Sequence, residues 1–347
     1  MIRASCVAIG IIAMTTSGCG RLDRGEGGIV HDTIAGSTFI STESELIGAA
    51  TDMTVAPDGR LYIADYALKH VLSVAPDGTD PVVIGREGSG PGEFSIPVAL
   101  SATTDTIRVF DMMHGSVQVF TAAGAYVNGV RVNVPQSGRG RSLARDGRFA
   151  FATGGLDSSL VTLQTPDGER LMSIGDPVVP PIMMWDFTAM KDQIREGLVP
   201  DQFRNDALPL WLDDGGIALV FYAAPEVRKY GADGSLLWSR TLADPVLDEA
   251  FAEFVRLNIA ETNPAAMYPL TYFADAFSSG DELWLLLNTE EDQPAVILIL
   301  DSTTGEPKGR RVVQGVEQPG SFAIDDERSR LYISRSADAS VAVVDLR

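Results

Sequence analysis

The stretch that decides the fold is residues 51–84, TDMTVAPDGRLYIADYALKHVLSVAPDGTDPVVI. Short apolar segments alternate there with turns, and the turns at 57–59 and 76–78 have the same sequence, Pro-Asp-Gly. Asp-Gly between apolar runs indicates a hairpin, because glycine readily takes the positive φ that a tight turn needs. We therefore predict four consecutive antiparallel strands, at residues 53–55, 61–64, 71–74 and 81–84.

The same four-strand unit recurs along the rest of the chain. Its further copies span residues 97–132, 142–174, 208–242 and 273–313, and a last copy begins near Phe322 and ends at 340–346. Repetition of this unit predicts an all-β protein, a six-bladed β-propeller. A β-sandwich or a β-helix fits the spacing of the Asp-Gly turns less well.

The last copy of the unit is one strand short. The segment Gly28–Ser41, GIVHDTIAGSTFIS, precedes the first copy and has no other partner. An N-terminal strand donated to the last blade would close the ring and remove both free sheet edges, which otherwise invite aggregation. We predict this closure, which places His31 on the outermost strand of blade 6.

The amino-terminal segment has the pattern of an export signal. Arg3 is followed by an apolar run at 4–14, which is short for a membrane span, and by Thr16-Ser17-Gly18 in front of Cys19. Small residues before a cysteine resemble the lipobox of bacterial lipoproteins. We predict a lipoprotein signal peptide with lipidation of Cys19, while cleavage without lipidation stays open.

Cysteine usage and charge limit what the mature chain can do. Cys6 and Cys19 are the two cysteines, so the body of the chain has no disulfide framework and no thiolate metal site. The 47 acidic and 27 basic residues give a net charge of −20, which disfavours nucleic acid. We predict an exported monomer, lipid-anchored in the bacterial envelope and meeting the membrane only through its anchor. Its parts are a signal peptide at 1–18, a flexible tether at 19–27 and a propeller at 28–347.

Strand order divides the connections between two faces. With the strands of a blade lettered a to d from the axis outward, the short a–b and c–d turns share one face, which we call the plain face. The b–c and d–a connections share the other, the insertion face, which carries insertions at about 176–207 and 243–272. Sites are commonly built on such loops.

Each insertion contains a helical pattern. We predict one helix at Thr188–Leu198 and a second that begins at Pro245 with Asp244 as its N-cap. Their apolar sides must be buried, either as a cap on the central channel or as a lid over a ligand. The candidate ligand pocket under them would be lined by Met183, Met184, Trp185, Phe187, Met267 and Tyr268, although plain core packing is the competing interpretation.

One motif carries a family resemblance. Residues 85–94, GREGSGPGEF, and the later run DMMHGSVQVF at 111–120 resemble the six-bladed, NHL-like or TolB-like propeller proteins of bacterial envelopes, many of which are lipoproteins. The resemblance implies a fold and a location but no reaction. From its residues alone the decapeptide is a connector whose glycines allow sharp turns, and an anion-binding nest at Gly88, Gly90 and Gly92 is the alternative.

Catalytic patterns are weak in this sequence. His70 and His114 fall in adjacent b–c turns, but His31 lies elsewhere, and two histidines are fewer than the three protein ligands of a typical catalytic zinc. Asp65 and Asp111 recur at the end of strand b, a position typical of carboxylates that accept backbone N–H bonds in turns. We therefore predict no catalytic residue, no metal site and no cofactor.

Two function classes remain from the sequence. The first is an envelope-anchored binding or interaction module, whose partner is an unknown small molecule or an envelope protein. The alternative is a metal-dependent hydrolase or lyase of the gluconolactonase or amidating-lyase propeller type. A redox-cofactor propeller is a third class, for which the sequence offers no contacts.

Overall fold

The computed structural model of the chain describes residues 23–24, 30–133, 139–182 and 184–347. The predicted signal peptide, Cys19 and Met183 lie outside the described residues. Six antiparallel sheets follow one another along the chain, and their innermost strands contact each other in a ring from blade 1 to blade 6 and back to blade 1. The six-bladed β-propeller is therefore confirmed.

Every blade has four antiparallel strands, in the order a to d. Blades 1 to 3 contain Ala50–Val55, Leu61–Asp65, His70–Val74 and Val82–Ile84; Pro97–Ala102, Thr106–Asp111, Ser116–Thr121 and Tyr126–Arg131; Arg141–Leu143, Phe149–Ala152, Val161–Gln164 and Arg170–Ile174. Blades 4 to 6 contain Ala207–Trp211, Ile217–Phe221, Glu226–Tyr230 and Leu236–Thr241; Phe273–Ser279, Glu282–Leu287, Pro294–Asp301 and Pro307–Glu317; Pro319–Asp325, Arg330–Arg335, Ser340–Asp345 and Ser37–Ile40.

The remaining elements lie outside these sheets or at their edges. They are the strands Asp23–Arg24 and Val30–Ala35, the ribbon of Arg86–Glu87 with Glu93–Phe94, the helices α1 (Phe187–Arg195) and α2 (Pro245–Ala260), and single 3₁₀ turns at Thr42–Ser44 and Asp201–Phe203. Neither α1 nor α2, the two α-helices of the described residues, has the length and hydropathy of a transmembrane helix.

Burial follows strand position within the blades. Inner strands such as Leu61–Asp65 and Ile217–Phe221 are buried at every residue, because a blade packs against a neighbour on both of its faces. The outermost strand Tyr126–Arg131 is largely exposed. This explains why the b strands read as continuous apolar runs and the d strands do not.

The turns of the plain face have the predicted tight form. Gly59, at φ +90°, donates its N–H to Ala56 O over 2.8 Å, and Gly147, at φ +92°, bonds Ala144 O in the same way. A side chain at either position would be strained at this φ. The Asp-Gly pairs are therefore signals of local backbone geometry, as the sequence pattern predicts.

The amino-terminal strand closes the ring, but over a shorter length than predicted. Ser37–Ile40 pairs antiparallel with the c strand of blade 6, which confirms the closure. Val30–Ala35, in contrast, pairs in parallel with Pro307–Glu317 of blade 5, so the prediction that His31 lies on blade 6 is wrong. We call residues 30–40 the strap, because they join the outer edges of two blades.

The switch between the two blades occurs at Gly36. Its N–H donates to Gln314 O over 3.0 Å, and a Cβ at this position would lie 3.1 Å from the Val316 side chain. The d strand of blade 5 is 11 residues long, and its outer edge would be unpaired without the strap. Pairing of the first half of the strap with that edge explains why the strand does not stay on blade 6 throughout.

Both predicted helices are present. The Asp186 side chain caps α1 by accepting from Thr188 N and Ala189 N, and Asp244 caps α2 by accepting from Val246 N. Helix α1 stops at Arg195, before the predicted end at Leu198, because Gly197 follows at φ +76°. Their apolar sides pack on each other and on the core between blades 4 and 5 through Met190, Ile194, Val246, Leu247 and Phe254.

Candidate functional site

A polar cavity of about 580 Å³ lies at the centre of the ring. The a strands of blades 1 to 5 line it, and the lining extends as far as Asp146 and Asp213 in the turns of the plain face. Its charged lining residues are Asp52, Arg139, Arg141, Arg145, Asp146, Arg148, Asp213 and Asp275. The cavity lining thus has four acidic and four basic side chains, although the whole chain has a net charge of −20.

Two aspartates in this cavity occupy the same position in different blades. In blades 1 and 5 the pairing register of the a strand shifts just before Asp52 and just before Asp275, as at a β-bulge. Such a bulge re-aims the side chain that follows it. Asp52 Oδ2 accepts from Leu100 N of blade 2 at 2.6 Å, and Asp275 Oδ2 accepts from Phe322 N of blade 6 at 3.0 Å.

Burial shifts the proton affinity of both carboxyls. It raises the pKa of Asp275 to about 7, against the lowering effect of the N–H groups of Phe322 and Ala276. It also raises the pKa of Asp52 well above its ordinary value, and the nearby charge of Asp275 adds to that shift. At neutral pH the pair therefore carries less than its full two negative charges.

Blade 3 supplies basic side chains to the same cavity. Arg139 precedes its a strand and Arg141 begins it. Arg139 donates from its N and Nε to the Asp206 carboxylate over 2.9 and 2.5 Å, and its guanidinium lies 4.5 Å from the centroid of the Tyr222 ring. Arg141 Nη1 donates to Arg139 O over 2.6 Å. These contacts fix the two guanidinium groups at the cavity wall.

Burial changes the pKa values of two side chains at this wall, Arg141 and Tyr222. Burial lowers the pKa of Arg141, with the charge of Asp206 and the Tyr222 phenol acting in the other direction. Burial also raises the pKa of Tyr222, so that its hydroxyl is neutral at physiological pH. The site can therefore offer positive guanidinium groups and a neutral phenol to an anionic group.

A second cavity of about 540 Å³, which we call the vestibule, lies at the insertion face. It shares Arg139 with the central cavity, and the insertions contribute Ile182, Trp185, Phe203 and Met267 to its wall. Asn205 holds the first insertion in place, since its side chain accepts from Val178 N and donates to Gly154 O. The vestibule is thus framed by the segments beside the helices, and neither α1 nor α2 contributes a lining residue.

The predicted ligand pocket is divided in the structure. Trp185 and Met267 line the vestibule together. Phe187 instead shares a shallow outer depression with Trp185, their ring centroids lying 5.9 Å apart, while Tyr268 lines another depression beside Phe254. Met184 is 82% exposed. The predicted lining residues therefore do not form a single pocket, and two of them reach the vestibule.

The three histidines do not come together. His31 is on the strap, on the outside of blade 5, and His70 begins the c strand of blade 1. His114, in blade 2, contacts Asp111 through Nδ1 at 3.4 Å and Ser95 Oγ through Nε2 at 3.3 Å. Within the described ranges, no three His, Cys, Asp or Glu side chains form a set that could hold a metal ion.

Asp65 and Asp111 have the structural role that their positions indicate. Both are fully buried. The Asp111 carboxylate accepts from the backbone N–H groups of Ser95, Ile96, Met113 and His114, at 2.6 to 3.3 Å. Asp65 accepts in the same way from Gly48, Ala49 and Leu68. Each carboxylate thus ties a b–c turn to the d–a connection that enters its blade.

The decapeptide at 85–94 forms a closed connector. Glu93 Oε2 accepts from Gly90 N over 2.9 Å, Gly92 N donates to Gln118 Oε1 over 2.8 Å, and Gly88 N donates to Phe94 O. A Cβ at Gly85 would lie 2.3 Å from the buried ring of Phe94, so glycine is required there. The N–H groups of the alternative anion nest are therefore engaged by the chain's own acceptors.

Known proteins that resemble this chain share its fold. No protein-family model matches the sequence, and no curated protein matches it either. The similar solved structures include a candidate exported protein from Bacteroides fragilis, with a TM-score of 0.56 and 10% identity over 90% of this chain and 94% of that one. They also include a gluconolactonase from Xanthomonas campestris (TM-score 0.51, 14% identity, 89% of each chain) and virginiamycin B lyase from Staphylococcus aureus (TM-score 0.50, 11% identity, 86% of this chain and 95% of that one). At these identities the likeness shows the propeller fold alone.

Proposed function

We propose that this protein is a binding module that holds a small polar ligand in its central cavity. The observation that carries the proposal is the charged central cavity, joined at Arg139 to a vestibule on the insertion face. A volume of about 580 Å³ lies within the range of roughly 300–1,000 Å³ that small-molecule sites occupy. The fixed guanidinium of Arg139 and the raised pKa of Asp275 support a site built for a ligand with charge.

The alternative function is a metal-dependent hydrolase or lyase of the gluconolactonase or amidating-lyase type. Asp52 and Asp275 favour it, because carboxylates of this kind are the ligands that calcium prefers. Elemental analysis of the purified protein separates the two functions. Stoichiometric calcium or zinc that survives extensive dialysis would support the enzyme and count against the binding module.

The binding proposal is tested by filling the cavity. Leu208 lies in the cavity wall, so Leu208→Trp is expected to occlude the cavity, and Leu236→Trp on the exposed d strand of the same blade is the matched control. The probe is a panel of amino acids, polyamines, dicarboxylates and monosaccharides, scored by the rise in melting temperature. A ligand at 100 times its Kd stabilises the folded state by about 2.7 kcal/mol.

The expected result is at least one compound that stabilises the native protein and Leu236→Trp but not Leu208→Trp. Circular dichroism of Leu208→Trp checks that the propeller still folds. Stabilisation that is the same in both tryptophan variants would place the ligand outside the cavity. If no compound stabilises the native protein in a manner sensitive to Leu208→Trp, the proposal is overturned.

We further propose that the chain is exported and anchored to the bacterial envelope by a lipid on Cys19. The lipobox-like sequence in front of Cys19 supports this location, and the name of one similar structure describes an exported protein. Stable anchoring takes more than one acyl chain, as the diacylated cysteine of a lipoprotein provides.

Cys19→Ala is expected to release the protein from membranes. Loss of the thiol removes the site of acylation, so the protein should move from the membrane pellet to the soluble envelope fraction. Cys6→Ala, within the predicted signal peptide, is the control and should leave the fractionation unchanged. Continued membrane association of Cys19→Ala would contradict the anchor.

A further inference from the structure

We propose that the ligand of the central cavity is a small zwitterion, with its cationic group between Asp52 and Asp275 and its anionic group at Arg139. This inference rests on the proposed binding function and names the class of ligand for that site. Three features support it: the placement of the charges around the ring, two unpartnered hydroxyl groups and the charge of the whole chain.

The acidic and basic walls of the cavity lie on opposite sides. Asp52 belongs to blade 1 and Asp275 to blade 5, so these two carboxylates flank blade 6. Arg139 and Arg141 belong to blade 3, which is opposite blade 6 in a closed ring of six. A ligand that spans the cavity therefore meets the two aspartates at one end and guanidinium groups at the other. Two carboxylates on the basic side are engaged in ion pairs, Asp206 with Arg139 and Asp146 with Arg148, and Asp213 lies in the a–b turn of blade 4.

Two hydroxyl groups show that the cavity wall has unused hydrogen-bonding capacity. Ser101 lines the cavity and is 3% exposed, and its Oγ has no hydrogen-bond partner in the described part of the chain. Ser278, on the a strand of blade 5, lines the same cavity with an equally unpartnered Oγ. A buried polar atom without a partner is costly, and a bound polar group would relieve that cost.

The aspartate pair favours an organic cation. Each carboxylate already accepts two backbone N–H bonds, Asp52 from Met53 and Leu100 and Asp275 from Ala276 and Phe322. These bonds fix the side chains but leave the like charges without a cationic partner in the described structure. An ammonium or guanidinium group between them would replace the proton that the raised pKa values keep on the pair.

Arg139 favours a carboxylate or phosphate at the other end. Its side-chain bonds engage Nε, with Asp206, and Nη1, with Thr271. The side chain is 45% exposed and borders both the cavity and the vestibule. Within the part of the chain that the structure describes, its Nη2 donors remain for an anionic group, and guanidinium binds such groups with defined geometry. The net charge of −20 repels a simple anion, so the anionic group is best accepted when the same molecule carries a cation.

The probes that test this inference are ω-amino acids of increasing length, from glycine through 4-aminobutyrate and 6-aminohexanoate to 8-aminooctanoate. The matched controls are the n-alkylamine and the n-alkylcarboxylate of the same length. Isothermal titration calorimetry with the full propeller should give one length that binds at least tenfold more tightly than either control. Equal affinity of the zwitterion and of its better control would overturn the inference.

Two substitutions test which wall of the cavity binds which charged group of the ligand. Asp275→Asn should weaken the binding of the ω-amino acid and of the alkylamine at least tenfold, without affecting the binding of the alkylcarboxylate. Arg139→Gln should weaken the binding of the ω-amino acid and of the alkylcarboxylate at least tenfold, without affecting the binding of the alkylamine. Asp281→Asn, at an exposed site on blade 5, is the control. A cooperative thermal transition and an unchanged circular dichroism spectrum check that Asp275→Asn folds, since the amide keeps one acceptor oxygen for the two backbone N–H groups that the carboxylate serves. Loss of all three affinities in one variant would contradict the assignment of the walls.

The affinity should also depend on pH in one direction. As the pH rises from 6 to 8, Asp275 loses its proton, so the alkylamine and the ω-amino acid should bind more tightly. The ligand amine stays protonated over this range, and Tyr222 stays neutral because burial raises its pKa. Asp206 forms an ion pair with Arg139 on the basic wall, opposite the aspartate pair. An affinity that falls or stays constant between pH 6 and pH 8 would contradict cation binding at the pair.

Failure of this inference is distinguishable from failure of the proposed function. If a sugar or a dicarboxylate stabilises the native protein but not Leu208→Trp, and no ω-amino acid binds, the cavity binds a ligand of another class. If no compound in either series binds in a manner sensitive to Leu208→Trp, the binding function and the ligand class are both wrong.

Discussion

A chain that begins at residue 42, without the strap, is expected to lose the single cooperative unfolding transition of the propeller. It would leave blade 6 with three strands and expose the edge of Ser340–Asp345, while the long d strand of blade 5 would lose its parallel partner. The deletion also removes buried Ile40 and the ring of Phe39, whose centroid lies 4.8 Å from that of buried Tyr332. Open sheet edges favour association with other chains.

Two longer chains separate the two halves of the strap. A chain that begins at residue 30 keeps both pairings, and one that begins at residue 36 keeps only the closure of blade 6. We expect the first to unfold cooperatively, the second to unfold cooperatively at a lower temperature, and the chain that begins at residue 42 to aggregate or melt broadly. Calorimetry and analytical ultracentrifugation measure both properties. An unchanged melting temperature in the shortest chain would show that the closure contributes no stability.

Asp111→Ala is expected to lower the free energy of unfolding by about 3–5 kcal/mol. The substitution removes an acceptor that serves four backbone N–H groups inside blade 2. A hydrogen bond to a charged group contributes ~1.5–3 kcal/mol, and such bonds within one network do not add in full. The loss corresponds to a fall of roughly 4–8 °C in the melting temperature of a propeller of this size.

Two further variants of blade 2 serve as controls for Asp111→Ala. Asp111→Asn keeps one acceptor oxygen and should show a smaller loss of stability. Asp105→Ala, on an exposed turn of the same blade, should change the free energy of unfolding by less than about 0.5 kcal/mol. Urea titrations with a common m-value make the comparison valid. A loss in Asp111→Ala no larger than that in Asp105→Ala would show that the buried carboxylate has no structural role.

The blades could be predicted from sequence because their signals are local. A Pro-Asp-Gly turn such as 57–59 and the apolar runs beside it specify a hairpin within about twenty residues. The caps of both helices are equally local, since Asp186 and Asp244 bind N–H groups two or three positions further along the chain. The split of the strap could not be predicted in this way, because it depends on the length of a strand in blade 5, far away in the sequence.

The central cavity has no such local signal. Asp52 and Asp275 are the single acidic residues of their strands, and the corresponding position of blade 2 holds Ala99. Their proximity follows only from closure of the ring, as does their position opposite Arg139. One clue was present, since an aspartate inside the innermost strand of a blade needs an explanation. The sequence instead indicated a site among the aromatic residues of the insertions, and of the predicted residues there Trp185 and Met267 reach the vestibule.

The strap also sets the order of events in folding. Ser37 Oγ donates to Val343 O across a sequence separation of 306 residues, so the pairing that closes the ring joins almost the whole described chain into one loop. Contacts of such high separation form slowly, because the entropy of closing a long loop must be lost before the contact forms. Blades 1 to 4 can form from neighbouring hairpins as the chain emerges, whereas blade 6 must wait for the last residues. Until then the nascent propeller is an open arc, and its two end blades are the surfaces that a chaperone would need to shield.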